Sequence, residues 1–238
     1  MLHSPRLVQR ARSKTSDDAS HPLVAEFRAF IADSLFPCLG AKAALHQGGL
    51  RTIIARDIRS DADDLLILLS LVDHARARRP RHLFRSFAVL FEQRAELSEE
   101  QFERVLWSRL QALSEIDVAM GYRPDSRVAR DPDDPFFAIS FGGEAYFVIG
   151  LHPRSSRPAR RFTTQALVFN LHEQFERLRA EGRYDKLRAA ITDRDRVFAG
   201  SINPMLADHG TVSAARQYSG RAVGEDWRCP YRPPDEAS

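Results

Sequence analysis

The chain has 238 residues, 43% of them hydrophobic, with a formal net charge of +3. That is enough apolar material for one sizeable core, and the small, interspersed charge excludes the sustained basic face of a nucleic-acid binder. Of the 35 basic residues only Lys14, Lys42 and Lys186 are lysines, so the positive charge is almost entirely guanidinium. No apolar run approaches the ~18 residues of a membrane span, and the polar, basic N-terminus has no secretory character, so the expected setting is cytoplasmic, with Cys38 and Cys229 as thiols.

In chain order, residues 1–22 are expected to form a disordered tail, 23–232 one domain, and 233–238 a short C-terminal tail. Val24, Phe27, Phe30, Ile31 and Leu35 recur near helical spacing, which predicts a helix over 22–36 that stops before Pro37. The stretch SDADDLLILLSLVDHARARR, 60–79, opens on acids and closes on arginines, which predicts a buried helix aligned with its own dipole. An alternating strand is predicted over 85–92. A longer helix starts at Ser98, whose spacing to Gln101 is that of a capping box. Two apolar runs flanking Gly142-Gly143 predict a β-hairpin, because that pair supplies the positive φ of a tight turn. QALVFN then predicts a strand passing into a helix that stops at Gly182. Four short strands covered by helices make a single-domain α+β fold with a small antiparallel or mixed sheet.

The common catalytic signatures are absent: no nucleophile elbow, phosphate loop, dinucleotide fingerprint or paired CxxC occurs. His172 and Glu176 stand four apart on a predicted helix, a spacing that suits two metal ligands but equally a surface pair. Cys38 and Cys229 each adjoin a proline. VIGLHPRSSRPARRF, 148–162, ends an apolar strand at His152 and follows it with Arg154, Arg157, Arg160 and Arg161. The arginines suit bidentate pairing with a ligand's carboxylates, and equally a solvated loop face; Arg216, Tyr218 and Arg221 form a second such group. The residues alone leave both readings open.

Taken together, FPCLGAKAAL, SFGGEAYFVIGLHPRSSRPARRF, LVFNLHEQFERLR, GSINPMLADHG and AARQYSGRAVGEDWRCPY resemble the YqcI/YcgG family over most of 36–231. The resemblance implies a heme-dependent N-hydroxylase acting on arginine or a related guanidino or amine compound, with heme b, dioxygen and an external electron donor. One departure is Ala214-Ala215, where the family often carries Glu. Within that frame His152 is the first candidate for axial iron ligand, with Cys229, Cys38 and His172 as alternatives. Arg157, Arg160, Arg161, Arg216, Tyr218 and Arg221 are candidates for cofactor contacts. A buried cationic substrate needs a carboxylate, for which Asp208, Glu144 and Asp226 are the candidates. The competing expectations are a non-catalytic heme sensor or carrier, and a non-heme metal enzyme built on His172 and Glu176.

Overall fold

Alternation along the strands sends successive side chains to opposite faces of a sheet, and both faces of this sheet are apolar. The computed structural model describes residues 20–77, 83–208 and 210–235. Five strands, β1 (Leu50–Ala55), β2 (Ser86–Phe91), β3 (Ile139–Phe141), β4 (Glu144–Leu151) and β5 (Ala166–Leu171), form one mixed sheet in the order β1-β2-β5-β4-β3. β1 and β2 are parallel and every other pairing is antiparallel. The helices are α1 (Pro22–Ala32), α2 (Leu39–His46), α3 (Asp64–Arg76), α4 (Glu99–Ala119), α5 (His172–Ala180), α6 (Tyr184–Ala199) and the single turn α7 (Ala215–Tyr218). The fold is a single α+β domain, as the sequence pattern predicts.

One sheet face, presenting Phe87, Val89, Tyr146, Val148, Leu167 and Phe169, is packed by α3 and α4 into a dense core. Gly150 makes this packing close: a Cβ there would lie 2.6 Å from Leu106 Cδ1 and 2.7 Å from Phe102 Cε1. The other face presents Leu50, Ala88, Leu90, Ile149, Leu151 and Val168, and α1 covers part of it through Val24, Phe27 and Ile31. Here α2, α5, α6 and the segment after α6 stand back from the strands, and a cavity remains.

Several boundaries carry their reasons. The capping box at Ser98 and Gln101 forms in both directions. Gly142 and Gly143 both adopt positive φ, and the hairpin follows. α1 ends at Ala32, earlier than predicted, because the Asp33 carboxylate accepts from Leu35 N and turns the chain. α3 begins at Asp64 instead of Ser60, since Asp63 is engaged in accepting from Arg56 N at the end of β1. The predicted end of that helix at 78–79, and most of the predicted N-terminal tail, lie outside the described residues. β1, α2 and most of α6 have no counterpart in the sequence reading, so the sheet has five strands and not four.

Candidate functional site: a cavity between the sheet and helix α6

The cavity has a volume of about 360 Å³. Its floor is the second sheet face, with Ser86, Phe147, Ile149, Leu151, Val168 and Asn170 at alternate strand positions. Phe27, Phe30 and Ile31 from α1 close one side, and Leu187 and Ile191 from α6 the other. Arg194 of α6 donates to the carbonyls of Ser34 (2.7 Å) and Phe36 (3.1 Å), tying the two sides together. The segment between α6 and α7 completes the wall with Asn203, Leu206, Asp208 and Val212.

Cys38 and His172 line this space, as do Tyr184, Asp195 and Asp208, all side chains of types that ligate iron. Cys38 is the N-cap of α2, and its Sγ accepts from Ala41 N at 3.4 Å. Burial pushes its thiol pKa up, opposed by the main-chain N–H groups of Ala41 and Gly40 and by the charge of Arg160. That combination favours a neutral thiol, with donors in place for a thiolate once a cation draws the proton off. His172 opens α5, directly after β5, and its Nε2 stands 3.8 Å from Glu176 Oε1.

Four arginines and two aspartates belong to the wall. Arg157 is bound to Asp195 and to Ser201, through Oγ at 2.9 Å and the carbonyl at 3.0 Å. Arg188 meets Asp208 at 2.7 Å, where the Asp208 side chain is 74% exposed, so this pair stands at the rim. Arg179 lies over the Tyr184 ring, 5.3 Å from its centroid. Arg160 donates to three main-chain carbonyls, Gly150 (3.2 Å), Tyr218 (3.0 Å) and Gln217 (2.8 Å). Desolvation lowers its pKa to about 10, so it remains charged at neutral pH.

The other sequence-predicted residues stand elsewhere, and His152 is the main correction. It does follow the end of β4, but its ring is 1% exposed and stacks on Phe102 at 4.3 Å, away from the cavity. Burial lowers its pKa to about 4, and among the described residues no partner meets its Nδ1. Cys229 is likewise buried away from the cavity, in the first core beside Tyr218 and Tyr231, with its thiol pushed up to about 12 by desolvation. Arg161 is exposed and donates to Ser155 O. Arg221 pairs with Glu103, and Arg216 lies over Trp227. Tyr218 stacks on Trp107 and donates to Tyr146 O, with its phenol held neutral by burial.

Of the predicted carboxylates, Asp208 lines the cavity. Glu144 instead shares Arg127 with Asp125 and Glu176, and Asp226 is exposed. Among the described residues no group of three or more His, Cys, Asp and Glu side chains converges, so His172 and Glu176 acquire no third protein ligand. Asp195 is the site residue that sequence reasoning missed. It stands eight residues after Leu187 and four after Ile191, so an acid on the apolar face of α6 was the available signal.

The cavity wall thus brings together a thiol, an imidazole, aromatic rings and guanidinium groups, the side-chain types that hold an iron-bearing macrocycle with carboxylates. The model of the YqcI/YcgG family matches residues 27–232. Comparisons with curated proteins and with solved structures return no match. Among the described residues no helix is long and apolar enough to cross a membrane.

Proposed function

The chain belongs to the YqcI/YcgG family, and from that membership and the cavity we propose a heme-dependent monooxygenase that N-hydroxylates arginine or a related guanidino or amine compound. The observation that carries the reading is the donor set: Cys38 and His172 both stand on the wall of a largely apolar cavity, with Tyr184 a further side chain of iron-ligating type. Cys38, in place of His152, would be the first candidate to hold the iron, with His172 as the alternative. Bound heme would supply the activation of dioxygen with electrons from an external donor, and a thiolate ligand favours O–O cleavage by pushing electron density toward the iron.

The chain's own residues have four tasks. Cys38 would hold the cofactor, and the N–H of Ala41 donates to its sulfur. Phe27, Phe30, Phe147 and Ile149 exclude water, which strengthens every electrostatic contact inside. Asp208 at the rim receives a cationic substrate by exchanging Arg188 for the incoming guanidinium, whose fork matches the carboxylate equally well. Asp195, held by Arg157, places a second carboxylate deeper in the same wall.

The test is product formation. Heme-loaded protein supplied with a reductant and dioxygen is expected to convert a guanidino or amino compound into a product heavier by a single oxygen atom, read by mass spectrometry with labelled dioxygen. Tight heme binding without turnover of any such compound contradicts the enzymatic reading and leaves a heme sensor or carrier. Purification with non-heme iron or manganese, and failure to take up heme, favours the His172–Glu176 alternative.

A further inference from the structure

We propose that Arg160 is the anion-binding point of the cavity, receiving the carboxylate of a ligand whose attached body is apolar. The proposal rests on the reading of this cavity as the ligand site, and it adds the charge class of the occupant and the residue that selects it.

The protein already neutralises some of the charges on the cavity wall. Arg157 has Asp195, Arg188 has Asp208, Arg161 lies outside the cavity, and Arg179 lies over the Tyr184 ring without the fixed main-chain cradle that holds Arg160. Arg160 has only main-chain carbonyls as hydrogen-bond acceptors among the described residues. Three carbonyl dipoles fix the guanidinium plane but do not cancel its charge, and a partly buried cation without a carboxylate partner is costly. Nη1 donates to two of the carbonyls and Nη2 to the third, and among the described residues no acceptor meets Nε, on the edge that it shares with Nη2. That edge is the one a carboxylate engages in a side-on bidentate pair.

The surroundings hold the group in place. Gly220, at φ +85°, lets the chain pass against the side chain, since a Cβ there would meet Arg160 Cδ and Nη1 at 3.3 Å. Asp195, Arg157 and Cys38 also act on Arg160, with the Asp195 carboxylate already bonded to Arg157, and the same cavity wall carries the apolar Phe30, Leu151 and Ala159. A fixed cation beside an apolar surface selects a ligand with one acidic end and a hydrophobic body.

Two sources supply such a carboxylate, an acid group of a bound macrocycle or the acid of an amino-acid substrate, and the experiment separates them. Purified full-length chain without heme is titrated calorimetrically with 2-naphthoate and, separately, with the uncharged isostere 2-naphthamide. A charge-assisted pair predicts that naphthoate binds roughly tenfold tighter or more. Equal affinities, or no naphthoate binding, overturn the proposal.

Arg160→Met is expected to abolish the preference and Arg160→Lys to retain part of it; an Arg160→Met protein that still prefers naphthoate also overturns the proposal. Because Arg160→Met removes three hydrogen bonds, its folding is checked by circular dichroism, and the wild-type comparison decides the matter if the variant does not fold. Heme-loaded protein that no longer takes naphthoate assigns the carboxylate to the cofactor, and loaded protein that still takes it assigns the carboxylate to the substrate. A chain that prefers naphthoate yet takes no heme keeps this subsite and contradicts the function proposed above.

Discussion

His152 and Cys38 show how the same residue types acquire different chemistry from their surroundings. His152 sits where a strand ends, a position that invites a ligand role, yet its ring is packed flat on Phe102 and is neutral at physiological pH. Its folded pKa of about 4 lies below the 6.5 of a free imidazole. Between those values the unfolded chain binds more protons than the folded one, so the contribution of His152 is present above pH 6.5 and is lost as pH falls toward 4. Asp64 and Asp117 have folded values raised to about 6 by burial, so they act in the opposite sense over pH 6 to 3.8. The isolating measurement is the difference in urea-unfolding free energy between wild type and His152→Asn. That difference is expected to shrink by up to about 3 kcal/mol from pH 7 to pH 4, and a constant difference would contradict the buried, neutral assignment. Cys38 differs because it faces open volume with an N–H at its sulfur. The Pro37-Cys38 corner was legible in the sequence, but which cysteine faces a cavity is settled only by how α2 packs.

Helix α4 lies close on β4 because Gly150 has no side chain, and this contact also sets the Phe102 ring that holds His152. Gly150→Ala would drive a methyl group into Leu106 and Phe102, and overpacking of that kind costs about 1–3 kcal/mol. Equilibrium denaturation should register this loss; an unchanged midpoint would show that α4 yields freely. Elements such as α4 and the β3–β4 hairpin were readable because their signals are local: a capping box at Ser98 and a glycine pair with positive φ. β1 was not, because a six-residue strand paired in parallel to β2 has no turn signal joining it to its neighbour. α6 was missed for a different reason. Its cavity-facing stripe runs Leu187, Ile191, Asp195, and the acid breaks the apolar pattern at the very place where it meets Arg157.

At the scale of the whole molecule, the sheet divides the chain into a filled half and a hollow half. α3 and α4 pack one face without a large void, while α1, α2, α5 and α6 enclose about 360 Å³ above the other. Sequence patterning marks both faces as apolar, and it cannot distinguish a face that meets a helix from one that meets a ligand. That difference depends on where separate helices stop, such as α1 turning at Asp33 and α6 being held off the strands while tied to Ser34 and Phe36. The arginine-rich segment after β4 divides in the same way: Arg157 and Arg160 turn into the cavity wall, and Arg161 stays outside. The central claim is that this hollow holds heme through Cys38. Its most direct test is the absorption spectrum of the chain expressed with heme precursor, recorded before and after dithionite and carbon monoxide, for wild type, Cys38→Ser and His152→Ala. The account predicts a Soret band in wild type and in His152→Ala, with the ferrous–CO band at the long wavelength of thiolate ligation, and loss or blue shift of that band in Cys38→Ser alone. No Soret band after heme reconstitution, or a spectrum altered by His152→Ala and untouched by Cys38→Ser, would contradict it.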